Sequence, residues 1–349
     1  MQQPFLRKFI LRTLFLLTPF FLYVVLYVVC DPFKVLRSYA SFYDNDAPAW
    51  VNLNADYVST TNYDLRYPTA HYDAFILGNS RSRYYRVADW QQFLPAGVHP
   101  YHFDAHNESL YGLVRKAEYI DSLGRPLRFA LIVLDRDLLP QIFSEPNRLK
   151  HISPQLEDNA IAARIGFHIA TIKDWFQLRF ARAYFEARLR HRLLPYMEEQ
   201  QLLLRPASYD PQTNEETYPL LEQQISAGTY FTPAMLQRFE GRQQPDSTSR
   251  PTIHNAQLRL LRRLQTVFRK HQTDYRIIIS PLYDQVRLHP RDVALLRSIF
   301  GADKVFDFSG VNDITTDMHN YYEPAHYRPA AALRLMHRVY GTHLSSQQK

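Results

Sequence analysis

The chain has 349 residues, of which 46% are apolar, 21% charged and 14% aromatic. That composition excludes a disordered chain and fits one large domain, or one domain carrying an insertion. The net charge is +7, but the 41 Lys and Arg residues are scattered. This argues against a nucleic-acid partner and leaves anionic lipid, an anionic polymer or an ordinary solvated surface to explain the excess.

Arg7, Lys8 and Arg12 precede an uncharged run over residues 13–30, TLFLLTPFFLYVVLYVVC. At about 1.5 Å per helical residue the run covers roughly 27 Å, close to the hydrocarbon thickness of a bilayer. It predicts one transmembrane helix with a tolerated Pro19. The three cations place the N-terminus in the cytoplasm and Asp31 onward outside, in the periplasm or extracellular space. No small-x-small site follows the run, so an uncleaved anchor is expected rather than a signal peptide. Cys30 is the single cysteine, so no intrachain disulfide can form. Val28 and Val29 before it are too bulky for a lipoprotein signal.

Residues 31–70 read as a polar and aromatic stalk that packs on the domain. From 71 to 349 the pattern is α/β. Short apolar runs at 74–77, 98–103, 129–134, 276–279 and 304–308 read as strands. Helices are expected around Trp90 and Phe93, over 110–123, over 253–270 and from 330 onward. In the third of these the apolar positions Leu258, Leu261, Leu264, Val267 and Phe268 fall at helical spacing. Short strands alternating with helices predict a parallel sheet covered on both faces. Residues 141–250 break the rhythm and read as an insertion, helical over 161–204 and loop over 206–250.

The first strand runs into Gly78-Asn79-Ser80-Arg81-Ser82. Ligands of open parallel sheets bind at the carboxyl ends of strands, so Ser80 stands where a nucleophile would. A strand-to-helix turn with a capping serine is the alternative, and Ser82 is the fallback nucleophile. Near the C-terminus, Tyr321-Tyr322-Glu323-Pro324-Ala325-His326 precedes the last helix. A serine hydroxyl needs a base, and a carboxylate can hold that base in the right tautomer. His326 is the candidate base. Glu323 is the candidate acid, with Asp317 as a rival. No His/Cys cluster with metal-ligand spacing and no phosphate-cradling glycine loop is present, so no metal or cofactor is expected.

An early Gly-Asn-Ser after a strand and a late Glu-x-x-His before the last helix together resemble the SGNH/GDSL hydrolase superfamily. The resemblance covers roughly residues 70–345 outside the insertion. It implies a flavodoxin-like three-layer sandwich, with Ser80 as nucleophile, His326 as base and Glu323 in place of the family's aspartate. It also implies oxyanion or substrate contacts from Arg81 beside Ser80 and from Asn107, which stands where the family has a glycine. The family's third block, with its oxyanion-binding asparagine, is replaced by Asp135-Arg136-Asp137. Losing one such donor costs about 3 kcal/mol of transition-state stabilisation. The anchored layout is similar to the teichoic-acid D-alanylation protein DltD and to the alginate-acetylation proteins. It implies an acyltransferase or esterase acting on an envelope carbohydrate or polymer, alongside a membrane-bound O-acyltransferase. The alternative is a non-catalytic docking partner of that transferase.

Overall fold

The computed structural model describes residues 3–240, 242 and 247–344. In chain order its longer elements are α1 (Gln3–Cys30), α2 (Ala55–Ala70), β1 (Ala74–Gly78), β2 (Pro100–His102), α3 (Leu110–Ser122), β3 (Phe129–Leu134), α4 (Ala160–Trp175) and α5 (Leu178–Arg190). Then come α6 (Asn255–His271), β4 (Asp274–Ile279), α7 (Pro290–Phe300), β5 (Val305–Asp307) and α8 (Pro329–Leu344).

The chain divides into two compact units. The first joins residues 1–53 to 171–206. Its α1 holds a 25-residue candidate span, Leu6–Cys30, with an 18-residue window of mean hydropathy 2.3 of which only 6% is buried. This helix is long and apolar enough to cross a membrane, and it is not a core helix. Trp50–Val51 pairs antiparallel with Leu203–Leu204, and Ala183, Ala187, Met197, Leu202 and Leu203 form a small core.

The second unit joins residues 54–170 to 207–349. Residues 55–70, read from the sequence as stalk, form α2 of this unit. Asn54 caps it by accepting the Tyr57 N–H at 2.7 Å. Five parallel strands form the sheet in the order β2-β1-β3-β4-β5. Alternate residues of β1 serve opposite faces: Phe75 and Leu77 join one apolar core, Ala74 and Ile76 the other. One core takes buried side chains of α3 and α6, including Leu113, Leu261 and Leu264. The other takes Ala331, Leu335 and Val339 of α8. Each fully buried branched side chain contributes about 1.5–3 kcal/mol. An apolar run buried on both sides, such as β3, is therefore the natural centre of the sheet.

The stretch read as loop over 206–250 holds more order than expected. It contains a hairpin, Ser208–Asp210 with Glu215–Thr217, and two short helices, Pro219–Ser226 and Pro233–Gln237. Both helices start on proline, which fits the first helical position because its missing N–H would have no partner there.

In the order 2-1-3-4-5 the chain reverses direction across the sheet between β1 and β3, and ligand crevices form at that point. Gly78 ends β1 there. A Cβ on it would lie 2.7 Å from the Val133 carbonyl and 3.0 Å from the Ser82 Cβ, so only glycine lets β1 approach β3 and turn.

Candidate active site

Ser80 leaves the carboxyl end of β1, and its Oγ lies 2.8 Å from His326 Nε2. His326 arrives from the far end of the chain on a tight hairpin. Tyr321–Glu323 pairs antiparallel with His326–Tyr327, and Pro324-Ala325 forms the two-residue turn. This turn puts Glu323 opposite His326, and Glu323 Oε1 meets His326 Nδ1 in a short hydrogen bond. The second carboxylate oxygen accepts the Ala325 N–H at 2.9 Å. The longer arm of glutamate is thus absorbed by a hairpin that faces acid and base directly.

Burial raises the Glu323 carboxyl, but the hydrogen bond and charge of His326 outweigh it, and the group sits below its ordinary range. An ionised Glu323 accepts the proton on Nδ1. Nε2 is then left as the lone pair facing the Ser80 hydroxyl, the tautomer a general base needs. Asp317, the rival acid, is exposed; it pairs with His319 Nδ1 at 2.9 Å and caps a short 3-10 turn. Ser82, the fallback nucleophile, is fully buried and donates its hydroxyl to the Asn79 carbonyl at 2.7 Å.

Arg81 lines the cleft beside the hairpin but is also engaged within the protein. Its guanidinium donates to Asp135 and Asp137 at 2.8 Å each and to the Ala325 carbonyl at 3.2 Å. Arg81 therefore braces the nucleophile turn against both the loop after β3 and the histidine hairpin. Asn107 is exposed and lies outside the left-handed backbone region. The Ser80 N–H, which would otherwise face an oxyanion beside the nucleophile, is given to the His106 carbonyl at 3.2 Å.

Asp135 is the residue that sequence reading missed. It is buried at the carboxyl end of β3. One oxygen accepts the N–H groups of Asp137 and Leu138 at 2.8 and 3.0 Å. The other accepts Asn79 Nδ2 at 2.7 Å and Arg81 Nη1 at 2.8 Å. All four acceptor positions are filled. An aspartate at position 79 would set a carboxylate against Asp135, so asparagine there is a matching choice. The only sequence signal was an acidic residue directly after a buried strand.

A second polar layer lies beside the triad. Arg83, about one tenth exposed, donates to Glu216 at 2.9 Å and to Asp104 at 3.3 Å, and His106 Nε2 also contacts Glu216 at 3.3 Å. Burial and the Arg83 charge pull His106 down to about 4, so it is neutral at physiological pH.

A cleft of about 630 Å³ opens next to the hairpin, lined by Pro324 and Ala325 and by four arginines, Arg81, Arg136, Arg238 and Arg242. Arg136 pairs with Asp284, another lining residue. Arg242 lies over the Tyr283 ring at 4.1 Å and donates to the Thr315 carbonyl. Arg238 is exposed, and its charge acts on Glu323. Among the described residues neither Arg238 nor Arg242 has a carboxylate within ion-pair distance. Glu240 is the one lining carboxylate outside the Arg136 pair.

Glu323→Gln tests the relay. With the amide carbonyl accepting the Ala325 N–H in place of the second carboxylate oxygen, the NH2 donates to Nδ1 and holds the imidazole in the opposite tautomer, so turnover is expected to fall roughly 10⁴-fold with the fold intact. Ester hydrolysis kinetics beside a circular dichroism spectrum would show it; near-normal turnover would remove Glu323 from the relay. No protein-family model matches the chain, and no curated protein matches it in sequence.

Proposed function

We propose that this chain is a membrane-tethered serine acyltransferase or esterase of SGNH/GDSL type that acts on a cell-envelope carbohydrate or polymer. The observation that carries the reading is the Ser80–His326–Glu323 relay at the crevice between β1 and β3. In the forward half-reaction Ser80 Oγ bonds to an acyl carbonyl carbon while its proton passes to His326 Nε2. That proton then leaves on the departing alkoxide. In the return half-reaction an acceptor hydroxyl, or water, gives its proton to His326 and takes the acyl group, and His326 passes that proton to the departing Ser80 Oγ. Glu323 stabilises the imidazolium in both halves. Arg7, Lys8 and Arg12 hold the N-terminus in the cytoplasm, so the catalytic unit works outside, where a membrane-bound O-acyltransferase would deliver acyl groups.

The arginine cleft supports an anionic acceptor, since Arg238 and Arg242 offer guanidinium forks that have no carboxylate partner among the described residues. Changing both to glutamine should raise KM about tenfold or more for a carboxylate- or phosphate-bearing acceptor relative to a neutral one. Equal changes for both acceptors would remove the arginines from acceptor binding.

A second reading has its own support. The Ser80 N–H is spent on His106, and Asp135 replaces the family's oxyanion asparagine. A domain lacking those donors would guide a polymer or dock a transferase without turnover. Incubating the full chain in detergent with p-nitrophenyl acetate and analysing peptides by mass spectrometry separates the two. An acyl adduct on Ser80 supports the enzyme; its absence from folded protein favours the docking role.

A further inference from the structure

The first unit carries a surface that the relay does not use. The segment over residues 172–192 is strapped to α1 by aromatic contacts. The Tyr23 ring stacks on Trp175 at 5.0 Å, and Phe20 stacks on Phe176 at 5.7 Å. The Tyr23 hydroxyl donates to the Trp175 carbonyl at 2.7 Å, and the Trp175 indole N–H donates to the Tyr23 carbonyl at 3.2 Å. Further along, Phe33 stacks on Phe180 at 4.7 Å. Phe20 lies about 15 Å from the end of α1 at 1.5 Å per residue, and Tyr23 about 10 Å. The 18-residue apolar window would extend about 27 Å, against a hydrocarbon core of about 30 Å. The Phe33–Phe180 contact therefore falls at the acyl–headgroup boundary of the leaflet around the C-terminal end of α1, while the contacts of Trp175 and Phe176 with Tyr23 and Phe20 reach about 10–15 Å into its hydrocarbon.

What the segment leaves uncovered matches that boundary. Leu178 is 76% exposed and Leu189 82% exposed. They stand three helical turns apart on one face of α5, opposite the buried Phe180, Ala183, Tyr184 and Ala187. Ile172 and Phe176 are also exposed apolar residues. Around them lie Lys173, Arg179, Arg182, Arg188, Arg190 and Arg192, against the carboxylates Asp174 and Glu186. Glu186 is shared between Arg182 and Arg190. The Arg188 guanidinium lies 3.6 Å from the Tyr184 ring centre. Apolar side chains flanked by long cations are the pattern of a helix lying in a membrane interface, where arginine stems stay among apolar groups and their heads reach lipid phosphates.

We infer that residues 172–192 form a lipid-seated collar: Ile172, Phe176, Leu178 and Leu189 enter the leaflet, and the surrounding arginines take anionic phospholipid headgroups. The inference requires that α1 crosses a bilayer and is independent of the Ser80 chemistry. The collar fixes the rotation and depth of the tether, which a single helix alone leaves free.

The test uses the full chain with Cys30→Ala and one new cysteine, Leu178→Cys or Leu189→Cys, carrying an NBD dye. The protein is reconstituted in phosphatidylcholine vesicles with or without phosphatidylglycerol. Both positions are exposed, so the substitutions disturb no packing. The dye should emit to the blue, be quenched by lipids spin-labelled near the glycerol, and resist aqueous iodide. Adding Arg179→Gln or Arg182→Gln should shift the seated-to-lifted ratio about fivefold towards lifted in the anionic vesicles. A dye as open to iodide as free dye in both vesicle types overturns the collar. Burial appearing only after a second membrane protein is added overturns it as well, because lipid would not be the occupant. Seating that is indifferent to phosphatidylglycerol and to the arginines overturns the headgroup contacts.

Discussion

Ser80→Ala is expected to abolish labelling by a fluorophosphonate probe and to lower ester turnover by roughly 10⁴-fold or more. The size follows from the geometry. Among the described residues only Ser80 has its hydroxyl 2.8 Å from His326 Nε2, and a triad without its nucleophile retains only binding and polar stabilisation. Ser82→Ala should stay labelled, because the Ser82 hydroxyl is buried and committed to the Asn79 carbonyl. A competing outcome is informative too. If folded wild-type protein does not react, the committed Ser80 N–H and the Asp135 loop have cost the site its turnover, and the docking role stands. If Ser80→Ala labels like wild type, another serine is the nucleophile and the relay is not the active site.

Lys116→Ala is expected to destabilise the fold by about 3–5 kcal/mol, the effect of removing one partner from a buried ion cluster. Lys116 is fully buried on α3. Its ammonium makes a short hydrogen bond to Glu108, lies 3.4 Å from Asp56 Oδ2 and sits 5.2 Å from the centre of the Phe103 ring. Burial favours the neutral amine, but Asp56 and Glu108 outweigh it and keep the ammonium charged. Burial pushes Glu108 up to about 7 even with Lys116 beside it. Without the ammonium two carboxylates would share a dry space, and Glu108 would be driven further towards its protonated form. The sign for pH follows. A carboxyl raised on folding contributes stability below its unfolded range, and that contribution is lost as pH rises through the folded value. The variant should therefore regain stability on acidification from about pH 7 towards 5, visible as a rising thermal midpoint. Equal midpoints for variant and wild type would mean that water reaches the cluster.

This cluster also bears on the site. Glu108 precedes Ser109, whose Oγ caps α3 by accepting the Gly112 N–H at 2.8 Å. The same loop presents the His106 carbonyl to the Ser80 N–H. A collapsed cluster would loosen the loop that holds the nucleophile turn. The first sign in Lys116→Ala should be reduced probe labelling below the melting temperature.

Much of the scaffold was legible because it is written in short-range patterns. The run at 129–134 matches β3 residue for residue, and the periodicity over 253–270 matches α6 within two residues at its start. The hydrophobic period and the strand ends are local properties, so they survive without knowledge of the fold. The stretch over 206–250 was misread because polar composition signals loop, while proline at a first helical position signals the opposite only once the helix is seen. Residues 55–70 were misread because α2 is polar and aromatic, and its burial depends on the sheet it packs against.

The chemistry of the site divides along the same line. Residue type and place in the chain single out Ser80, Glu323 and His326, because an apolar strand running into Gly78 and a proline-bounded turn before the last helix are local signals. The choice of Glu323 over Asp317, the burial of Ser82, the bracing contacts of Arg81, and the anchoring role of Asp135 came only from the folded chain. Each depends on partners far apart in sequence: 246 residues separate Ser80 from His326, 244 separate Arg81 from Ala325, and 56 separate Asn79 from Asp135. Hydrogen bonds act over about 3 Å, and only a parallel sheet that gathers its strand ends at one edge brings such residues within that reach.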